Sequence, residues 1–108
     1  MYSNKNLNYT QIKQYIKRLI ALFANKKEFD ITLTEFTRHL GNGTNDKYEW
    51  INKHCFNVCM NEVLNKIQDD TLIIQLINLY GHHLVQEGKN NELIRLQLKR
   101  EFGKWARW

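Results

Sequence analysis

Apolar residues recur at helical spacing along most of this chain. Between Tyr9 and Lys26 they fall every three or four positions, at Ile12, Ile16, Leu19, Ile20 and Phe23. This period places them on one face of an α-helix, with polar residues on the other. The pattern therefore predicts a first amphipathic helix over residues 9–26.

The next segment carries the signals of a short helix. Thr32 and Glu35 have the spacing of a capping box, in which each side chain satisfies a free backbone amide of the other residue. Gly41 suits the left-handed residue that ends many helices. We expect a helix over residues 33–40, and the weak alternation of "FDITL" before it suggests extended chain.

Two longer helices are predicted in the centre. Asp46 with Glu49 can cap the first, whose apolar stripe (Tyr48, Ile51, Cys55, Val58, Cys59) extends to about Ile67. After the turn "QDDT", the segment "LIIQLINLYGHHLV" is apolar around most of its circumference. A buried strand is the alternative for so apolar a run, but its length favours a central, well-buried helix.

The last helix follows Gly88. Asn91 can cap it, and Ile94, Leu98, Phe102 and Trp105 line one face. A chain of 108 residues supports one hydrophobic core. We therefore expect an all-α fold: a single compact domain, residues 1–108, of four to five helices, bundle-like or orthogonal, in which residues 1–7 can be disordered.

Charge is unevenly distributed along the sequence. Residues 1–27 carry six bases and no acid, residues 28–88 carry four bases and nine acids, and residues 89–108 carry six bases and two acids. The net charge of +5 therefore separates into +6, −5 and +4. Basic surfaces favour phosphate backbones or acidic protein faces.

The basic residues of the terminal helices are the candidate site. On the last helix, Arg100, Lys104 and Arg107 fall at i, i+4 and i+7 and predict a basic ridge. If the terminal helices are neighbours, their bases merge into one patch. Trp108 is either frayed or an anchor for a partner. The candidate residues are Lys13, Lys17, Arg18, Arg95, Lys99, Arg100, Lys104, Arg107 and Trp108.

One short stretch resembles the helix-turn-helix of DNA-binding proteins. Phe36, Thr37 and Gly41 follow its order of apolar residue, small residue and turn glycine. The sequence departs from the motif at the polar Asn42, and the apolar pair Tyr48 and Ile51 arrives about one residue late. A plain corner between two packed helices is the competing interpretation.

No enzyme signature stands out. Cys55 and Cys59 belong to an apolar stripe, so we expect reduced, buried thiols rather than a zinc site with His54, His82 or His83. Phosphate-binding loops, dinucleotide fingerprints and paired catalytic acids are absent from the sequence. The expectation is a protein that is not an enzyme and has no cofactor and no metal.

Two functions remain open. The first is a nucleic-acid-binding protein, of the DNA-binding regulator type, acting through its basic terminal helices. The alternative is a protein-binding inhibitor of phage or mobile-element type, for example a host-defence or anti-CRISPR-like inhibitor, docking its basic face on a nucleic-acid-processing machine. With no apolar run long enough for a membrane span and no signal peptide, we expect a cytoplasmic protein, in a host cell in the second case.

Surplus apolar residues suggest a further contact surface. Ile74, Val85, Leu93 and Leu96 lie off the predicted core faces. They favour a homodimer or a docking face.

Overall fold

The computed structural model describes residues 6–43 and 47–108. Within those ranges the chain forms α-helices, a short 3₁₀ turn and no strand. The helices are α1 (Tyr9–Ala21), α2 (Lys26–Leu40), α3 (Glu49–Asn65), α4 (Asp69–Gln86) and α5 (Asn91–Phe102), and the 3₁₀ turn is Gly103–Trp105. The predicted all-α class is confirmed.

Helix α4 lies at the centre of the fold. It packs against α1, α3, α5 and the 3₁₀ turn, while α2 packs against α1 and α3. Its buried side chains surround much of its circumference: Leu72, Ile73, Leu76, Ile77, Tyr80, His83 and Leu84. The prediction of a central buried helix is confirmed, and the strand alternative is wrong. The helix begins at Asp69, so the acids of "QDDT" occupy its first turn.

The boundary between the first two helices lies earlier in the chain than the sequence predicted. Helix α1 ends at Ala21, and Asn25 caps α2 by accepting a hydrogen bond from the Glu28 amide at 3.3 Å. Asn8 and Gln11 form a full capping box at the start of α1. Lys26 therefore opens α2, and the predicted first helix over 9–26 is too long.

The capping box assigned to Thr32 and Glu35 is wrong. Thr32 is buried in the middle of α2, and the "FDITL" stretch is helical because Phe29 and Leu33 supply the buried stripe of that helix. Glu35 instead accepts a hydrogen bond from the Tyr15 hydroxyl of α1. Tertiary packing has overridden a plausible local signal.

Gly41 ends α2 for a different reason from the one predicted. Its φ is −85°, which any residue can adopt. A Cβ there would lie 2.8 Å from Cε1 of Phe56, so the missing side chain lets α3 approach. The left-handed glycine of this corner is Gly43, with φ 73°. The predicted cap at Asp46 lies outside the described residues.

Helices α3 and α5 are close to prediction, with shifted ends. Helix α3 stops at Asn65 because Lys66 is left-handed (φ 48°), and the predicted end at Ile67 is two residues too late. Asn90, not Asn91, caps α5 by accepting from two backbone amides. Trp105 lies beyond the end of the helix and is half-buried, and its ring centroid is 4.9 Å from that of Phe23.

The chain before α1 is part of the packed structure from residue 6 onwards. Asn6 and Leu7 are buried. The Asn52 side-chain amide on α3 donates to the Leu7 carbonyl at 2.8 Å, and its oxygen accepts from the Leu7 amide at 2.9 Å. The rest of the stretch expected to be disordered, residues 1–5, lies outside the described residues.

Candidate docking surface

The two basic terminal helices lie side by side. Helix α1 packs against α5, and Phe23, just beyond the end of α1, contacts Trp105. Lys13 and Lys17 reach the same carboxylate of α5, Glu101, with Nζ–O distances of 3.6 and 3.1 Å. The adjacency that the sequence hypothesis required is therefore present.

Adjacency does not produce one merged basic patch. Glu101 lies between the helices as a charged group, because the hydrogen bond from Lys17 and the charge of Lys13 lower its pKa. Two lysines and one glutamate leave a net charge of +1 at this junction. Arg95 is paired too, with Glu92 at 3.1 Å.

Arg18 is the third predicted base of α1. Its guanidinium carbon lies 5.0 Å from the ring centroid of Tyr15, a cation–π arrangement. The Tyr15 hydroxyl donates to Glu35, and Arg18 helps to lower the pKa of that carboxylate. The protein's own acids therefore balance much of the charge of α1.

Four of the predicted bases keep their charge uncompensated. Within residues 6–43 and 47–108, no carboxylate lies within 4.0 Å of the side-chain nitrogens of Lys99, Arg100, Lys104 or Arg107. All four are exposed. Among the predicted site residues, the unpaired positive charge therefore lies on α5 and the segment after it.

The predicted ridge of Arg100, Lys104 and Arg107 is wrong. It required one continuous helix, but α5 ends at Phe102 and Gly103 takes a φ of 61°. The 3₁₀ turn that follows changes the direction of the chain. Arg107 instead lines a groove with residues of α3 and α4, away from the exposed face of α5.

The exposed side of α5 carries apolar as well as basic residues. Leu93 and Leu96 are 65% and 63% exposed. With Arg100 they occupy positions i, i+3 and i+7, which form one stripe of a helix. The inward residues are Ile94, Leu98 and Phe102. We call Leu93, Arg95, Leu96, Lys99 and Arg100 the α5 outer face.

The sequence contained both parts of this face but did not join them. Periodicity identifies Leu93 and Leu96 as surplus apolar residues, and charge identifies the basic positions separately. Combining them on one helical wheel, with the core stripe turned inward, places Arg100 between the two leucines and Lys99 and Arg95 on one side of them. Of the other surplus residues, Ile74 and Val85 are half-buried.

Trp108 packs against the protein itself. A Cβ on Gly81 of α4 would lie 2.9 Å from Cε3 of the Trp108 ring, so the indole rests on the bare backbone of that glycine. The side chain is 36% exposed. Trp108 therefore closes one side of a groove.

The helix-turn-helix resemblance is not supported by the geometry. Helix α2 ends at Leu40 and α3 begins at Glu49, a wider separation along the sequence than the motif's turn of about three or four residues. Phe36 and Thr37 are buried in the core. The corner interpretation fits this longer connection better.

The candidate thiols and one of the three histidines, His83, lie in the core. Cys55 and Cys59 are free and buried, and burial raises the pKa of Cys59 to about 12. His83 is also buried, and desolvation lowers its pKa, which favours a neutral ring among aromatic neighbours. In the described part of the chain, no three His, Cys, Asp or Glu side chains converge in a metal-binding arrangement.

Comparisons with protein-family models, curated proteins and solved structures find no match to this chain. Among the described residues, no helix is long and apolar enough to cross a membrane.

Proposed function

We propose that this chain is a non-enzymatic protein-binding module that docks the α5 outer face on an acidic surface of a partner protein. The observation that carries the proposal is the composition of that face. Two exposed leucines occupy one helical stripe, with Lys99 and Arg100 uncompensated beside them. Apolar side chains surrounded by polar and charged ones are the usual anatomy of a protein interface.

The leucines distinguish this face from a phosphate-binding one. Phosphate oxygens are bound by lysines, arginines and polar donors, and a leucine in the middle of such a face gains nothing from them. A protein partner can cover Leu93 and Leu96 with its own apolar side chains. Burial of a leucine contributes about 1.5–3 kcal/mol when it is complete.

The basic rim indicates the charge of the partner. Lys99 and Arg100 have no acid of their own within ion-pairing distance in the described residues. Partner carboxylates around an apolar cleft would pair with them and steer the approach of the two proteins. Covering such a surface on a nucleic-acid-processing machine would make the chain an inhibitor of phage or mobile-element type, acting in the cytoplasm of a host cell.

Binding of nucleic acid is the second candidate function. It is favoured by the four predicted bases that have no carboxylate partner in the described residues, of which Lys104 and Arg107 lie outside the α5 outer face. A DNA-binding regulator using them would lose affinity steeply between about 50 and about 200 mM salt. It would not depend on Leu93 or Leu96.

The test compares three labelled probes by fluorescence anisotropy: an acidic amphipathic model helix with a leucine stripe, polyglutamate and a short random DNA duplex. We expect saturable binding of the model helix above the other two. The Leu96→Gln variant should weaken it about tenfold or more, because a leucine anchor is lost. Leu64→Gln is the matched control, since Leu64 is 71% exposed on α3.

Each other result has a definite meaning. Equal binding of all three probes, unaffected by Leu96→Gln, would show that the chain binds them through charge alone and would contradict the proposal. Tight binding of the duplex alone, falling steeply with salt, would establish the second candidate. Absence of saturable binding to the model helix would contradict the proposed function.

A further inference from the structure

A groove lies between α3, α4 and the segment after the 3₁₀ turn, on the far side of Trp108 from α5. Its volume is about 630 Å³. This is within the range of sites that hold small molecules, about 300–1,000 Å³. The groove shares no residue with the α5 outer face.

The walls of the groove are apolar and fixed in position. Val58 of α3 and Leu79 of α4 are half-buried against the core, so they form a packed floor. Trp108 forms the opposite wall, and its indole is held against Gly81. A flat apolar group can therefore lie between an aromatic ring and aliphatic side chains with little rearrangement of the protein.

The polar side chains of the groove can donate hydrogen bonds, and one of them, Arg107, carries a positive charge. Its lining includes Gln75, Asn78, His82 and Arg107, and no aspartate or glutamate. In the described part of the chain, no carboxylate pairs with Arg107. A guanidinium with free donors is the side chain best suited to a carboxylate.

We infer that this groove binds a small apolar carboxylate. The ring or alkyl body of the ligand lies between Trp108 and Leu79, and its carboxylate pairs with Arg107 at the rim. The chemistry of the lining selects for one negative charge on an otherwise apolar molecule, because a neutral analogue leaves the exposed guanidinium bonded to water alone. The inference is independent of the proposed docking function.

The experiment titrates the full chain with naphthylacetate and with its neutral methyl ester, followed by NMR. We expect saturable shifts of the Trp108 indole N–H, the Leu79 and Val58 methyls and the Asn78 side-chain amide. The acid should bind about tenfold more tightly than the ester, since a hydrogen-bonded charge contributes about that factor.

Substitutions assign the effect to the groove. Arg107→Gln should remove the preference for the acid, whereas Lys89→Gln, the same charge change on an exposed loop, should preserve it. Leu96→Gln should not change naphthylacetate binding, so failure of the docking proposal and failure of this inference are distinguishable. Equal affinity for acid and ester, shifts centred elsewhere, or no saturable binding would overturn the inference.

Discussion

Helices α1 and α5 are both basic in sequence, yet they present different surfaces. Lys13 and Lys17 of α1 share the carboxylate of Glu101, which lies between the helices. On α5, Lys99 and Arg100 have no such partner in the described residues and flank exposed leucines. Charge counted along a chain is therefore not charge available to a partner, because the fold decides which bases are already paired.

Reversing charge on each helix in turn tests whether α5, and not α1, binds an acidic partner. The combined Leu96→Gln and Arg100→Glu variant should lose about 3 kcal/mol of binding free energy for an acidic amphipathic model helix, about a hundredfold in Kd. Lys13→Glu with Lys17→Glu should change Kd far less and lower stability instead, since three carboxylates then meet at Glu101. Anisotropy titration and urea unfolding separate the two effects. Equal loss of affinity in both variants would remove the distinction between the helices.

The next largest expected effect is on folding stability, and it comes from a buried acid, Glu62. Burial first, and then the neighbouring carboxylate of Asp69, raise the pKa of Glu62 to about 7. The folded state therefore holds a proton that the unfolded state releases above pH of about 4.5. The stability from the protonated form is full below that pH and is lost as pH rises through about 7.

Glu62→Gln tests this dependence. The glutamine retains an acceptor for the Gln68 amide, which donates to the Glu62 carboxyl at 3.2 Å. We expect the variant to be more stable than wild type by about 1–3 kcal/mol at pH 8, with the gap closing towards pH 4. Urea unfolding across this range measures the gap. A gap that is independent of pH would contradict the assignment.

Glu101 predicts a smaller effect of opposite sign. Pairing with Lys17 and Lys13 lowers the pKa of Glu101, so its contribution to stability is present above its unfolded pKa and is lost as pH falls through its folded pKa. Glu101→Gln should cost about 0.5–1 kcal/mol at neutral pH and almost nothing at pH 2. It should also free Lys13 and Lys17, so that affinity for duplex DNA at low salt rises. Unchanged DNA affinity would mean that pairing with Glu101 does not reduce the binding of Lys13 and Lys17 to DNA.

The smallest expected effect concerns stability of the outer face. Leu93→Gln and Leu96→Gln should each change the free energy of unfolding by less than about 0.5 kcal/mol, because both side chains are mostly exposed. Leu98→Gln, on the inward side of the same helix, should cost several kcal/mol, since it puts an amide into the core. Thermal unfolding of the three variants gives the comparison. A large loss in Leu93→Gln would show that this leucine supports the fold.

Periodicity was sufficient to predict the helical class, the central position of α4 and the inward faces of α3 and α5. It could not predict where α1 ends, because Asn25 and Thr32 both begin plausible caps and only packing of Phe29 and Leu33 selects the first. Local signals of similar strength are decided by the core that forms around them.

The candidate site was predicted only in part, because packing also decides which predicted bases stay exposed and unpaired. Helical spacing identified the exposed bases of α5, but the extension to Arg107 failed because Gly103 breaks the helix with a positive φ. The pairing of Glu101 with α1 depends on how two distant segments pack, and no spacing within either helix encodes it.

The most direct test of the docking account is NMR shift mapping of the labelled chain with the acidic amphipathic model helix. If α5 docks as proposed, the largest amide shifts fall on Leu93, Leu96 and Lys99 and are lost in Leu96→Gln. Shifts centred on Lys13 and Lys17, or spread evenly over every exposed base, would contradict it.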